Sequence, residues 1–406
     1  MNSNAKAGLH YGWVIVLAGA LTLFACLGLG RFAFGLLLPA MGENLALRYD
    51  QLGLISTGNF VGYLLAVILS PWLIRRFRPR GVIVGGLGLI GLGMLLISRA
   101  GTLAILVLLY GLVGAGSGLA NMPTMALVPH WFRRNRRGQA AGLMIGGNGL
   151  AILLAGLLVP QVNAAFGWRG SWVMLALANL TVAFIALVLV RNDPRDKGLE
   201  PCGRFEPLET APVDLAGGGR ILLQLGAIYL VFGLTYMVYG TFFATSMIDD
   251  FGYTEAAAGR LWSWVGFCGL FSGVLFGTIS DRIGRRNGLI LVYALFTCAY
   301  LLAGLGGVLG SWALWLSVIS YGTVLFAVPT IMAALVAEYL GLEKAASGFS
   351  ALTLFFGVGQ ILGPWSAGKL AQQNHGFVSS YLICAGLTGL AILLALRLET
   401  PVRTEG

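Results

Sequence analysis

Charge is scarce in this sequence. Charged residues occupy 10% of 406 positions, and only 16 are acidic, against about 25% charged in an ordinary soluble domain. Such a chain cannot clothe a water-facing surface, which excludes a soluble globular fold. The acids are also confined: Glu43, Asp50, Asp249, Asp250, Glu255, Asp281, Glu338 and Glu343 fall between apolar runs or at their ends, and the others in one polar stretch or the tail. With no carboxylate inside a run, neither a buried proton carrier nor a counter-charge for a cationic substrate is available there. Proton coupling would need a peripheral acid such as Asp249 or Asp250, or a proton carried by the substrate; exchange of anions is the other route.

Histidine and cysteine are sparse too. His10, His130 and His375 stand far apart, leaving no nucleophile–base or metal constellation and arguing against an enzyme. Cys26, Cys202, Cys268, Cys298 and Cys384 show no paired or metal-ligand spacing, so no disulfide, metal or cofactor is expected. A receptor or sensor would need a soluble output module, and the one long polar stretch, 192–219, is too short to hold it.

What is present is apolar. Hydrophobic residues reach 57% and mean hydropathy is +0.84, and the 60 glycines sit inside the apolar runs, where they let membrane helices approach closely. About twelve runs near the roughly 20 residues that span a bilayer can be cut: 11–38, 51–74, 81–99, 103–129, 138–163, 170–190, 221–246, 257–280, 287–308, 311–338, 346–371 and 377–396. The first run is too long for the apolar part of a signal peptide and lacks a cleavage site, so it reads as a retained span. The formal charge of +10 comes from arginines in short connectors: Arg75, Arg76, Arg78 and Arg80; Arg133, Arg134, Arg136 and Arg137; Arg282, Arg285 and Arg286. Their placement marks cytoplasmic loops in the lipid bilayer, with both termini cytoplasmic, and no nucleic acid as partner.

The polar stretch divides the chain into residues 1–191, a first six-helix bundle, the cytoplasmic linker 192–219, and residues 220–406, a second bundle. A trace of duplication survives. The connector Gly277 to Arg286 has a counterpart 206 residues earlier, Pro71 to Arg80, which keeps basic positions and carries Arg75 where the second half has Asp281.

Gly277, Asp281, Arg282, Gly284 and Arg286 match the loop signature G-x3-D-[RK]-x-G-x-[RK], and on these residues the chain resembles the major facilitator superfamily over nearly its whole length. The resemblance implies an all-α membrane protein of twelve transmembrane helices in two pseudo-symmetric six-helix bundles, working by alternating access as a monomer in a bacterial inner membrane. It also implies a gate in which Asp281, with Arg282, Gly277 and Arg286, closes the cytoplasmic side. The segment from Gly28 through Arg31 to Pro39 is similar to a bacterial branch labelled YbfB/YjiJ-like. Trp131 to Gly138 with Gly142 and Gly167-Trp168-Arg169 resembles the monocarboxylate and oxalate/formate porters, which move small organic anions.

Arg31 stands about 20 residues into the first run with apolar sequence on both sides. An unpaired charge there costs at least roughly 2.5–3.5 kcal/mol, which demands either a functional anion or an outward-reaching, snorkelling side chain. A guanidinium suits a carboxylate in bidentate fashion. The 206-residue offset carries Arg31 to Met237, between Tyr236 and Tyr239, so two phenols are expected to face it. Asn121 matches a polar position of the monocarboxylate branch, and with Asn59 and Gln360 completes the candidate substrate set; Tyr63 and the remaining intramembrane polar groups are expected to bond helix to helix.

Two departures bear on the substrate. Gly273 stands where monocarboxylate carriers have a basic residue in span eight, and span eleven holds only Lys369 at its end. A single cation favours a monoanion over a dianion. Efflux of drugs or metabolites through an uncharged aromatic cavity is the rival, but Tyr110 stands near the span-four arginine of proton-driven drug antiporters, and Pro160 breaks their span-five glycine run after Gly147 and Gly156.

Overall fold

The structure is a computed structural model describing residues 10–204 and 218–398; the linker acids Glu206 and Glu209 lie outside them. It is built of helices. The first span is broken into α1 (Gly12–Leu23), a π-helical segment (Phe24–Phe32) and α2 (Phe34–Leu45). Then follow α3 (Tyr49–Ile97), α4 (Leu103–Trp131) and α5 (Arg134–Leu189). The second half contains α6 (Gly218–Asp249), α7 (Glu255–Ile283), α8 (Arg285–Gly304), the short α9 (Gly306–Leu309), α10 (Ser311–Val324), α11 (Ala327–Asn374) and α12 (Val378–Leu396).

Among the described residues nine helical stretches are long and apolar enough to cross a membrane. Some must cross twice. α3 runs 49 residues and α5 runs 56, about 74 and 84 Å of helix against a hydrocarbon core of about 30 Å. α3 is interrupted at Arg78 and α5 at Gly167, both with positive φ. The neighbours show that the chain doubles back: Gly62 packs against Gly111 and Gly86 against Gly116 of α4, which a straight helix would hold about 36 Å apart. In α5, Gly147 meets Ala20 while Asn179 bonds Ala25. α11 is interrupted in the same way at Gly341. These breaks divide α3, α5 and α11 into two segments each.

Large apolar side chains face outward where lipid would lie, as with Leu108 at 73% exposed and Phe184 at 66%. Polar groups face inward instead, including Asn59, Thr124, Asn148 and Asn179. Crossings are tight because glycine lets backbones touch. A methyl at Gly114 would run into the carbonyl oxygen of Asn59, whereas Gly88 has open space around it.

The two halves meet along α3 with α11, α5 with α7, and α2 with α6. Hydrogen bonds between them cluster at the end carrying residues 43–50. Ser56 Oγ lies 3.1 Å from Thr241 Oγ1, Thr57 Oγ1 donates to the Ile361 carbonyl at 2.8 Å, and Asn163 Nδ2 donates to Glu255 at 2.6 Å. Tyr49 joins two helices at once: its hydroxyl donates to Asp249 at 2.8 Å and its backbone N–H to Gln372 at 3.1 Å. Beside it, Asp250 accepts from the Phe377 N–H and the Ser246 hydroxyl, each at 3.0 Å. Burial, reinforced by Asp249 and opposed by these two donors, pushes the Asp250 carboxyl above its ordinary 3.8.

Two predictions follow from this packing. Gly114→Ala is expected to destabilise the detergent-purified protein by about 1–3 kcal/mol, as overpacking does; a Tm no lower than that of Gly88→Ala would mean the helices are not so close. A raised carboxyl stabilises the fold in its protonated form, a contribution complete below the unfolded value and lost as pH rises through the folded one. The Tm of the wild type should therefore fall more than that of Asp250→Asn as pH rises above the ordinary carboxyl value of 3.8, and parallel profiles would remove Asp250 from the account.

Candidate functional site

The site begins with a fault in the first span. Between Phe24 and Phe32 the helix widens to π geometry, with the Ala33 N–H bonding Gly28 at 3.2 Å. Such a segment displaces carbonyls from the regular ladder, which then need other donors, and π segments recur at functional positions. Here the donors come from two neighbouring crossings. Ser117 Oγ donates to Cys26 O at 2.6 Å, Asn179 Nδ2 to Ala25 O at 3.2 Å, and the Tyr110 hydroxyl to Arg31 O at 3.3 Å. The backbone of Arg31 is thereby fixed from outside its own helix.

Its side chain does not snorkel. Arg31 is 5% exposed, and its guanidinium lies over the rings of Phe60, 4.8 Å to the centroid, and Tyr63, 4.4 Å. One nitrogen, Nη1, donates to the Tyr236 hydroxyl at 3.5 Å. Nε and Nη2 are buried without a hydrogen-bond partner, and no carboxylate pairs with Arg31 among the described residues. Ring faces attract a cation, yet they cannot accept the planar N–H bonds that a guanidinium offers. The arrangement leaves a buried cation with donors to spare.

Tyr236 is held from two sides: Gln360 Nε2 donates to its hydroxyl, and Tyr321 donates to its backbone carbonyl. Asn121 Nδ2 donates to the Tyr63 hydroxyl at 2.8 Å. So the structure brings Arg31, Tyr236, Gln360 and Asn121 into one network. It does not bring in the other two candidates. The Tyr239 hydroxyl lies 2.9 Å from Ser317 Oγ and its ring stacks on Tyr321 at 4.0 Å, about 60° around the helix from Tyr236. Asn59 Nδ2 donates to the Tyr110 carbonyl at 3.1 Å, tying two crossings together.

Two walls escaped the sequence reading. Phe60 is apolar and gave no signal, and Tyr63 read as an interhelical group although it also covers the guanidinium. Tyr229, Phe232, Tyr236 and Phe356 form a ladder of near-parallel rings: Phe232 stacks on Tyr236 at 4.6 Å and Tyr229 on Phe356 at 4.7 Å. The spacing of Tyr229, Phe232 and Tyr236 along one helix face was its visible mark.

The expected gate residues lie at the arginine-rich end. Asp281 pairs with Arg285 across the turn at Gly284 rather than with Arg282, and Arg285 also reaches Glu338 at 3.1 Å. Arg285 further donates to Ser280 at 2.7 Å and to the Gly277 carbonyl at 3.3 Å. Arg286 donates to the Leu396 carbonyl, capping the end of α12, and Arg282 is exposed. These bonds stay within the second half.

The profile of the Major Facilitator Superfamily matches residues 20–351 and 225–406. The chain is 26% identical to a probable hexose phosphate transport protein of Chlamydia trachomatis, covering 87% of this chain and 84% of that one. It is 22% identical to the hexuronate transporter of Bacillus subtilis, over 92% of each. With monocarboxylate transporter 4 of Gallus gallus it shares 25% identity, over 95% of this chain and 82% of the other. The solved structure of a bacterial homologue of the human lysosomal transporter Spinster, inward-facing and occupied, superposes with a TM-score of 0.72 at 15% identity over 96% and 97% of the two chains. By the extent of its family match and by its fold, this multi-pass membrane protein, a transporter of small molecules and not an enzyme, belongs to the major facilitator superfamily.

Proposed function

We propose that the chain is a secondary active transporter that moves a small organic monoanion, binding its carboxylate at Arg31. The observation that carries this reading is the pair of buried, partnerless donors, Nε and Nη2, on a guanidinium with no carboxylate beside it. Those two nitrogens lie along one edge of the guanidinium, which suits both oxygens of a carboxylate. Tyr236, steadied by Gln360, adds a hydroxyl, while Phe60 and Tyr63, the latter anchored by Asn121, hold the guanidinium plane. A substrate anion would supply the counter-charge that the protein itself omits.

Relatives lend support by chemistry. Hexuronates and monocarboxylates, named for two of them, are carboxylates. A hexose phosphate is a dianion near neutrality, and one guanidinium without a second cation suits it less well. With no carboxylate in the site among the described residues to carry a proton, transport runs by symport of the anion with a proton or by exchange of anions. In this reading residues 1–191 and 220–406 rock about Arg31 and Tyr236, joined by the linker 192–219, with Asp281 and Arg285 at the cytoplasmic end. The protein is a monomer in the bacterial inner membrane with both termini in the cytoplasm, the side where the arginine clusters lie.

The test is ligand-dependent thermal stability, followed by uptake into proteoliposomes with and without a pH gradient. Small monocarboxylates should raise the Tm of the wild type, and Arg31→Ala should weaken their binding by at least about 30-fold, the scale for truncating one partner of a buried charge pair. Arg31→Lys should recover it only in part, because an ammonium cannot bond both oxygens along a planar edge. Stabilisation of both wild type and Arg31→Ala by lipophilic cations, with none by carboxylates, would replace this reading with efflux through the aromatic ladder.

A further inference from the structure

The turn that divides α3 differs in charge from its counterpart in the second half, although the two are built alike. The 206-residue offset relates Arg80 to Arg286 and Arg78 to Gly284. Arg80 donates through Nε to the Leu187 carbonyl at 3.0 Å, and Arg286 donates to the Leu396 carbonyl, so each caps the last crossing of its half. The conformations also agree. Gly284 has φ 88° and ψ 145°, and Arg78 has φ 60° and ψ 159°. Glycine adopts such a backbone freely, whereas arginine is strained in it, and strain of this kind gathers where a side chain has a task.

Neutralisation differs as well. In the second half Arg285 is paired with Asp281 and Glu338. In the first, Arg75, Arg76 and Arg78 are exposed, and no carboxylate pairs with them among the described residues. The nearby acids are engaged elsewhere: Asp193 accepts from the Arg195 N–H, and Asp196 from those of Asn192 and Asp193.

Beside Arg78 opens a groove of about 410 Å³, walled by Phe77, Val84 and Leu187, with Arg78 and Asn192 also lining it. Its flank faces where lipid lies: Phe77 is 58% exposed, Leu187 44% and the neighbouring Trp72 59%. Trp72 is a residue type that the membrane interface favours. A free phosphate would satisfy the cations and leave the apolar walls bare, whereas an amphiphile covers both.

We propose that this groove binds an anionic phospholipid of the surrounding bilayer, its phosphate against Arg78, with the exposed Arg75 and Arg76 adding positive charge just before it in the chain, and an acyl chain along Phe77, Val84 and Leu187. Arginines at a turn between apolar segments, beside outward-facing apolar side chains, match a headgroup and its chain, and basic pockets between membrane helices take ligands of this class. The site is separate from Arg31 and independent of which solute is carried.

Native mass spectrometry of the full-length protein in detergent, titrated with phosphatidylglycerol, phosphatidylcholine or glycerol 3-phosphate, tests it. Phosphatidylglycerol should be retained and the other two not. Arg78→Gly suits the turn as Gly284 does, so its Tm should be no lower than that of the wild type while phosphatidylglycerol binding weakens about fivefold, the loss of one cation near the surface. The triple change Arg75→Gln, Arg76→Gln, Arg78→Gln should weaken it more than tenfold on the same scale. Leu187→Trp, which fills the groove at constant charge, should weaken it too. Wild-type binding by Arg78→Gly and the triple variant would overturn the proposal. So would glycerol 3-phosphate binding as well as the lipid, or an equal loss in Arg134→Gln with Arg136→Gln, a cluster outside the groove.

Discussion

A guanidinium in the membrane interior, with no counter-charge paired to it among the described residues, is the constraint around which this molecule is arranged. Removing a charge from water demands a partner, and Arg31 finds aromatic faces and one phenol where an ion pair would be expected. Holding it there draws on both halves. Phe60, Tyr63 and Asn121 come from the first, Tyr236 and Gln360 from the second. The π segment fixes the register of Arg31, and Ser117, Asn179 and Tyr110 satisfy the carbonyls which that geometry sets free. A charge that joins the two halves in this way makes the state of the site depend on how the halves sit.

Much of the architecture was legible because membrane physics leaves few options. Apolar run length sets the crossings, and arginine clusters mark the connectors. The turns at Arg78, Gly167 and Gly341 were visible as punctuation, though continuous helical hydrogen bonding blurs them into longer elements. Arg31 was legible as a charge that needed an explanation, and the repeat offset pointed to Tyr236 across the interface. The π segment was not, because its residues differ from an α-helix only in backbone register. Nor was the orientation of Tyr239: two tyrosines three apart on a helix are near neighbours, yet only one hydroxyl points into the interface while the other closes a stack with Tyr321 inside the second half.

The loop signature shows the limit of reading a motif as a function. Its residues do meet at the arginine-rich end, but they take different jobs. Asp281 and Glu338 neutralise Arg285, and Arg286 caps α12. The first half keeps the cap in Arg80 and loses the acid, so the same turn that is electrically balanced in one half is left cationic in the other. Pseudo-symmetry therefore conserves the mechanical part of the turn more strictly than its charge.

The seam between the halves gives the last step. Its hydrogen bonds, from Ser56, Thr57, Tyr49 and Asn163, gather toward the end that carries Asp249 and Asp250, and the bond from Arg31 to Tyr236 is the one nearest the middle. At the other end the charged groups of the second half bond among themselves. Parting the halves at that end would break neutral hydrogen bonds worth about 1 kcal/mol each and bonds to Asp249 and Glu255 worth about 1.5–3 kcal/mol each. An anion bound at Arg31 would touch Tyr236 across the seam, and only by binding one arrangement of the halves more tightly than the other could it shift their balance. Under the proposed function, the differential affinity of an anion at the guanidinium would act on the same seam that these bonds close.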